Sequence, residues 1–168
     1  MKENILDVFN IWLDSRLDSV HTCLPGKIDT YYGHSKRKAK VKTLSKLRNS
    51  NGTLISIPAI DNVPVIFPGS KKFNMVWPLE KDDGCLILFS EAALGGFLSN
   101  SKEADPESNN RFSLTDAICI PGLWSFQNVP DAPENNTDFF LTYEGNTLQM
   151  KKSGTTSTTI INSLEVDS

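Results

Sequence analysis

The stretch whose reading decides the fold is residues 62–91, NVPVIFPGSKKFNMVWPLEKDDGCLILFSE. It holds two apolar runs, Val63 to Phe67 and Cys85 to Phe89, separated by a segment with Pro64, Pro68, Gly69 and Pro78. Proline and glycine in such places mark bends and strand edges rather than helix. The runs are read as two strands from the middle of a small β-barrel. The stretch has no nucleophile elbow, metal-ligand spacing or phosphate loop, so function has to be argued from shape and assembly.

Upstream, residues 38–43 alternate, with Lys38, Lys40 and Lys42 on one side and Ala39, Val41 and Thr43 on the other. Period two is the signature of a strand with one face on a core. Before it, Pro25-Gly26 is expected to open a strand over 27–31, with a turn at 32–35; after it, a turn at 49–52 leads into a strand over 53–57. Downstream, residues 97–111 read as an exposed loop. Ala117 to Ile120 read as a strand ended by Pro121-Gly122. At the N-terminus, Ile5, Leu6, Phe9, Trp12, Leu13, Leu17 and Val20 fall at helical spacing. The expectation is an amphipathic helix over 1–20 whose apolar face packs on the barrel or on a neighbouring copy. Its mostly acidic polar side argues against a membrane surface.

Residues 128–137, with Pro130, Pro133 and a pair of Asn, are the best linker. Beyond it, 139–143, 147–150 and 158–166 are short strand candidates rich in Thr, Asn and Ser. Leu141 with Tyr143, Leu148 with Met150, and Leu164 with Val166 each place two apolar residues on one strand face, and Ile160 joins them as a candidate contact. An isolated hairpin or two buries too little apolar surface to be stable in water, so this tail is expected to need copies of itself.

Composition limits the alternatives. A chain of 168 residues suits one main domain with an appendage. Cys23, Cys85 and Cys119 are odd in number and lie in apolar settings, which predicts buried thiols rather than a disulfide framework. No apolar run has the length of a membrane helix, and no signal-peptide pattern opens the chain; a soluble product not exported by the usual route is expected. The asparagines of Asn51-Gly52-Thr53 and Asn135-Asn136-Thr137 then carry no weight as glycosylation sites. Residues 1–99 hold 13 Lys and Arg against 10 Asp and Glu, and residues 100–168 hold 4 against 10. That asymmetry can steer a partner but does not announce a nucleic-acid binder.

Catalytic candidates are weak. His21 and His34 have no acidic or thiol cluster at ligand spacing. Glu80, Asp82 and Asp83 are read as turn formers, Ser90 and Ser125 lack a base, and Gly95-Gly96 is too short to cradle a phosphate. No enzymatic activity, metal or cofactor is expected. Lys36 to Lys42, after Tyr31 and Tyr32, is the one stretch that suits a single nucleic-acid strand; a solvated strand face is the plainer reading.

An ordered series of motifs then becomes informative: TCLPGKI at 22–28, IDNVPV at 60–65 with Phe67-Pro68, WPL at 77–79 followed by Asp83-Gly84 and LILFS at 86–90, and RFSLTDAI at 111–118 with IPGL at 120–123. This series resembles the N-terminal domain of the central spike proteins of contractile-tailed phages. The resemblance implies an all-β chain: an oligonucleotide/oligosaccharide-binding (OB-fold) barrel over 21–127, preceded by the helix and followed by a short, intertwined triple-stranded β-helical shaft over 138–168. It further implies a homotrimer in the virion tail baseplate, assembled in the host cytoplasm. A tail tube or hub protein would sit above the barrel, and the host outer membrane would be touched during puncture. Leu141, Tyr143, Leu148, Met150, Ile160, Leu164 and Val166 would then face the threefold axis. In that family, tip histidines from three chains hold an iron ion. Here no His follows His34, so the resemblance implies either a short shaft with a separate tip protein or a spike of another design. The contrasting expectation is a monomeric barrel binding single-stranded nucleic acid through Lys36 to Lys42.

Overall fold

The computed structural model describes residues 4–17, 20–48, 51–103, 105, 109, 111–129, 136–144, 146–153 and 156–161; of residues 152–161 only the backbone is described. The chain falls into two compact units, Met1–Phe126 and Gln127–Ser168.

In the first unit a helix α1 (Ile5–Leu17) precedes strands β1 (Cys23–Tyr31), β2 (Lys38–Thr43), β3 (Lys46–Arg48), β4 (Leu54–Ser56), β5 (Ile60–Pro64) and β6 (Gly84–Phe89). A short helix α2 (Gly95–Asn100), a single 3-10 turn (Leu114–Asp116) and strand β7 (Ala117–Pro121) complete it. Five strands form one antiparallel sheet in the order β5-β2-β1-β6-β7. The sheet curls until its two edges meet, where Val65 makes a parallel bridge to Cys119 and the Ile66 N–H donates to the Cys119 carbonyl at 2.9 Å. The unit is thus mostly β, a curled sheet wrapped around one core.

The curl is built into β1. Its first half, Cys23 to Lys27, pairs with β6, and Gly26 to Tyr31 pair with β2, with a register shift between Ile28 and Thr30. Gly26 sits where both ladders meet, and a Cβ there would come within 2.4 Å of the Ile87 side chain. Glycine therefore lets the strand bend across its own core. Strand β1 also begins earlier than the sequence suggests. Pro25 and Gly26 lie inside it because β6 supplies pairing on both sides of them.

Alternation fills the interior. Ala39, Val41 and Thr43 of β2 are buried while Lys38 and Lys42 are exposed. Cys85, Ile87 and Phe89 of β6 and Ala117 and Cys119 of β7 meet Ile28, Val63, Val65 and Phe67 in one cluster. Phe67 stacks edge-on against Trp77, with centroids 4.9 Å apart. The turn at 80–83 closes onto β1: the Glu80 N–H donates to Asp83 Oδ2 (2.7 Å), the Asp82 N–H to the Ile28 carbonyl (2.8 Å), and Lys27 pairs with Asp82. These carboxylates form the turn expected of them.

Three expectations are corrected. Cys23 is exposed, unlike Cys85 and Cys119, because it is out of phase with Leu24, Gly26 and Ile28, whose side of β1 faces the core. Part of the expected 97–111 loop is helical, α2, whose Leu94 N–H is anchored by Asp116 Oδ1 at 2.9 Å. Lys46–Arg48, not read as a strand, pairs with Leu54–Ser56 in a separate two-stranded hairpin.

The second unit is a three-stranded antiparallel meander, β8 (Phe139–Tyr143), β9 (Asn146–Ser153) and β10 (Thr156–Ile161), in the order β10-β9-β8. Leu164 and Val166 lie outside the described residues.

Candidate functional site

The register of the second unit decides which of its residues share a face. Phe139 pairs with Met150, Leu141 with Leu148 and Tyr143 with Asn146. Directly paired residues of an antiparallel sheet point to the same side, so Phe139, Leu141, Tyr143, Leu148 and Met150 form one row. Phe139, Leu141, Tyr143 and Met150 are 57%, 51%, 54% and 45% exposed, and Leu148 is half-buried. The described tail thus carries an apolar face left open to solvent. Phe139 extends the pair Leu141 and Tyr143 that the sequence pattern names; its signal is the period-two spacing of 139, 141 and 143. In β10, Ile161 is the backbone partner of Leu148, whereas Ile160 pairs with Gln149. On the other side of the row, Gln149 Nε2 donates to Asp138 Oδ2 at 2.8 Å.

The basic stretch forms a second surface. Tyr32, Lys36, Lys38 and Asn62 line a shallow cleft of about 470 Å³. Two features limit it as a stacking platform. Tyr31 is half-buried against Phe67, at 6.4 Å between ring centroids, and against His34, whose Nδ1 lies 3.1 Å from the Tyr31 hydroxyl. The Tyr32 hydroxyl donates to Asp61 Oδ1 at 2.6 Å, which puts a carboxylate beside the ring. Lys40, the middle member of the row, pairs with Asp29 at 3.5 Å.

A second concavity, about 420 Å³, runs between β5 and α2 and includes Val63, Pro64, Leu94, Leu98 and Asp116. The Asp116 carboxylate is already occupied by the Leu94 N–H and the Thr115 hydroxyl. Its role is to hold the turn before β7.

Among the described residues no three His, Cys, Asp or Glu side chains gather in a metal-binding set. His21 packs on Phe89, with centroids 5.7 Å apart. The buried thiols face one another: hydrogen bonding to Cys85, reinforced by burial, pushes the Cys119 thiol up and keeps it protonated. Ser90 Oγ accepts from the Ala92 N–H at 3.3 Å, a turn contact. No described helix is long and apolar enough to cross a membrane.

Comparison with known proteins agrees with the curled sheet in extent. No curated protein matches the chain. The model of the phage protein Gp138 N-terminal domain matches residues 24–122, which runs from the second residue of β1 to the glycine after β7 and covers more than half of the sequence. The chain belongs to the family of the phage protein Gp138 N-terminal domain.

Proposed function

We propose that this protein is a non-enzymatic, trimeric central spike of a contractile phage tail or related injection device. It would be held under the tail tube by its barrel and used to puncture the host envelope. Membership of a phage-protein family supports a structural role in the virion. The observation that carries the rest is the open apolar row Phe139, Leu141, Tyr143 and Met150 on a three-stranded sheet in which none of the described side chains is buried. Covering each such side chain contributes about 1.5–3 kcal/mol. Three copies facing one axis would cover them all by the same contact repeated.

The order β5-β2-β1-β6-β7 with its parallel closure supports an OB-fold barrel as the collar. In this reading residues 138–168 begin an intertwined β-helical shaft. A hub or tube protein sits above the barrel, a separate tip protein completes the point, and the outer membrane is touched only transiently.

Sedimentation of the full chain is expected to give a trimer, and Leu148→Asp or Leu164→Asp to loosen it while barrel circular dichroism is kept. A single-copy protein at high concentration, or a trimer indifferent to both substitutions, would refute the shaft. The second reading is a monomeric barrel binding single-stranded nucleic acid at the Tyr32, Lys36 and Lys38 cleft. Salt-sensitive retardation of a labelled oligonucleotide by a monomer would favour it.

A further inference from the structure

Helix α1 is 13 residues long, and no residue in it is buried. A helix of that length is marginal in water without tertiary contacts. Ile5 and Phe9 are 82% and 56% exposed, so the barrel does not supply the missing cover.

The residues of α1 do not form one narrow stripe. Ile5, Phe9, Trp12 and Arg16 follow one another at intervals of four, three and four, the spacing of the a and d positions of a heptad. Their side chains meet along the helix: the Phe9 and Trp12 rings are 6.1 Å apart, and the Arg16 guanidinium lies 5.5 Å over the Trp12 ring. Leu6 and Leu13 flank this stripe on one side and Val8 on the other. Asp7 and Asp14, seven residues apart, take the opposite side, with Asn10 and the exposed Ile11 beside them.

We infer that α1 is a second self-association element, in which three copies pack as a short parallel bundle with Ile5, Phe9 and Trp12 on the shared axis. The inference rests on the trimeric reading above and assigns it an N-terminal seam. Three observations select copies of this chain as the occupant. Apolar flanks on both sides of the central stripe need a neighbour on each side, which a ring of identical helices provides and one flat partner surface does not. The charges on the outer side, Asp7 and Asp14, are acidic, the wrong sign for an anionic membrane surface. Arg16 closes the stripe at the helix C-terminus, where the helix dipole favours a cation. Parallel packing gathers the three guanidinium groups at that open end, whereas antiparallel packing would set each against a neighbour's Ile5. A charged residue at one core position fixes direction and register in this way.

The test uses the full chain with the exposed Cys23 replaced (Cys23→Ser), carrying either Trp12→Cys on the inferred axis or Asp14→Cys on the outer side. Under mild oxidation, denaturing gels without reductant should show linked pairs with one chain of each trimer left over for Trp12→Cys, and almost none for Asp14→Cys. Ile5→Cys should behave as Trp12→Cys does, which guards against local damage from losing the indole. A trimer by sedimentation in which neither axial cysteine links, or in which Asp14→Cys links equally, overturns the bundle and leaves the trimeric reading standing. A monomer without links overturns both. Linking that appears only after a tail-tube protein is added also overturns it, because the helix would then be ordered by a different partner.

Discussion

Gly84 and Gly122 show how single residues close this curled sheet. The Gly122 N–H donates to the Gly84 carbonyl at 2.9 Å, and Gly122 has φ of +106°, a region that side-chain-bearing residues rarely adopt. The chain leaving β7 therefore crosses directly over the start of β6. A Cβ on Gly84 would lie 1.9 Å from the Leu123 carbonyl oxygen, a backbone atom that cannot swing aside. Gly84→Ala is expected to destabilise the protein by about 3 kcal/mol, the upper part of the usual range for forced overpacking. Urea unfolding would check this, and an unchanged midpoint would mean that the crossing yields to an added methyl group. Gly84 was visible in the sequence only as part of an Asp83-Gly84 turn. Its contact with residue 123 is set by a fold that brings distant positions together. Cys23 makes the same point in reverse: its apolar neighbours suggest burial, and the pairing of β1 with β6 turns it to the outward face of the sheet.

Among the elements, the turn between β1 and β2 is tied to β5 by the Tyr32–Asp61 bond. The Tyr32 hydroxyl and then the Asn62 N–H hold the Asp61 carboxyl below its ordinary value. The same hydrogen bond, with smaller contributions from burial and nearby carboxylates, holds Tyr32 above its own. The signs bracket a window. Asp61's contribution is complete above about pH 4 and lost as pH falls through its lowered folded value; Tyr32's is complete below about pH 10 and lost as pH rises through its raised one. Both groups are exposed, so the effect is small. Tyr32→Phe is expected to lower Tm slightly at neutral pH, with the gap from the unaltered protein closing at both extremes. A gap that persists unchanged below pH 3 would show that the bond is not its source. Element by element, legibility followed length and period. The alternation of Lys38 to Thr43 specified β2 and its buried face, because period two has one structural meaning. Helix α2 escaped notice because it is six residues long and opens on two glycines, which are poor helix formers. Strand β3 escaped because three residues carry no period, and only its partner β4 makes it a strand.

At the scale of the whole molecule, the proposed assembly makes a mechanical statement. Where three chains share each layer of a shaft, the strand edges pair across subunits, and separating one chain means breaking its contacts with both others. Forced unfolding is governed by the unfolding rate, so such a spike should persist far longer than its equilibrium stability requires. The trimer is expected to survive sodium dodecyl sulfate at room temperature and to fall apart on boiling, as read on a denaturing gel; dissociation on mixing would remove kinetic persistence from the proposal. By itself the sequence determined the periodic elements: the strands around 38–43, 85–89 and 117–120, the N-terminal helix, the turn carboxylates and, in the tail, the pairs Leu141 with Tyr143 and Leu148 with Met150. Local propensity and alternation are properties of neighbouring residues, so a linear chain displays them. Tertiary structure alone decided the bend of β1 at Gly26, the closure of Val65 on Cys119, the exposure of Cys23 and the open faces of α1 and of the β8–β9 row. Each of these depends on which distant segments meet and which surfaces they leave uncovered, and that is settled by long-range packing rather than by adjacent residues.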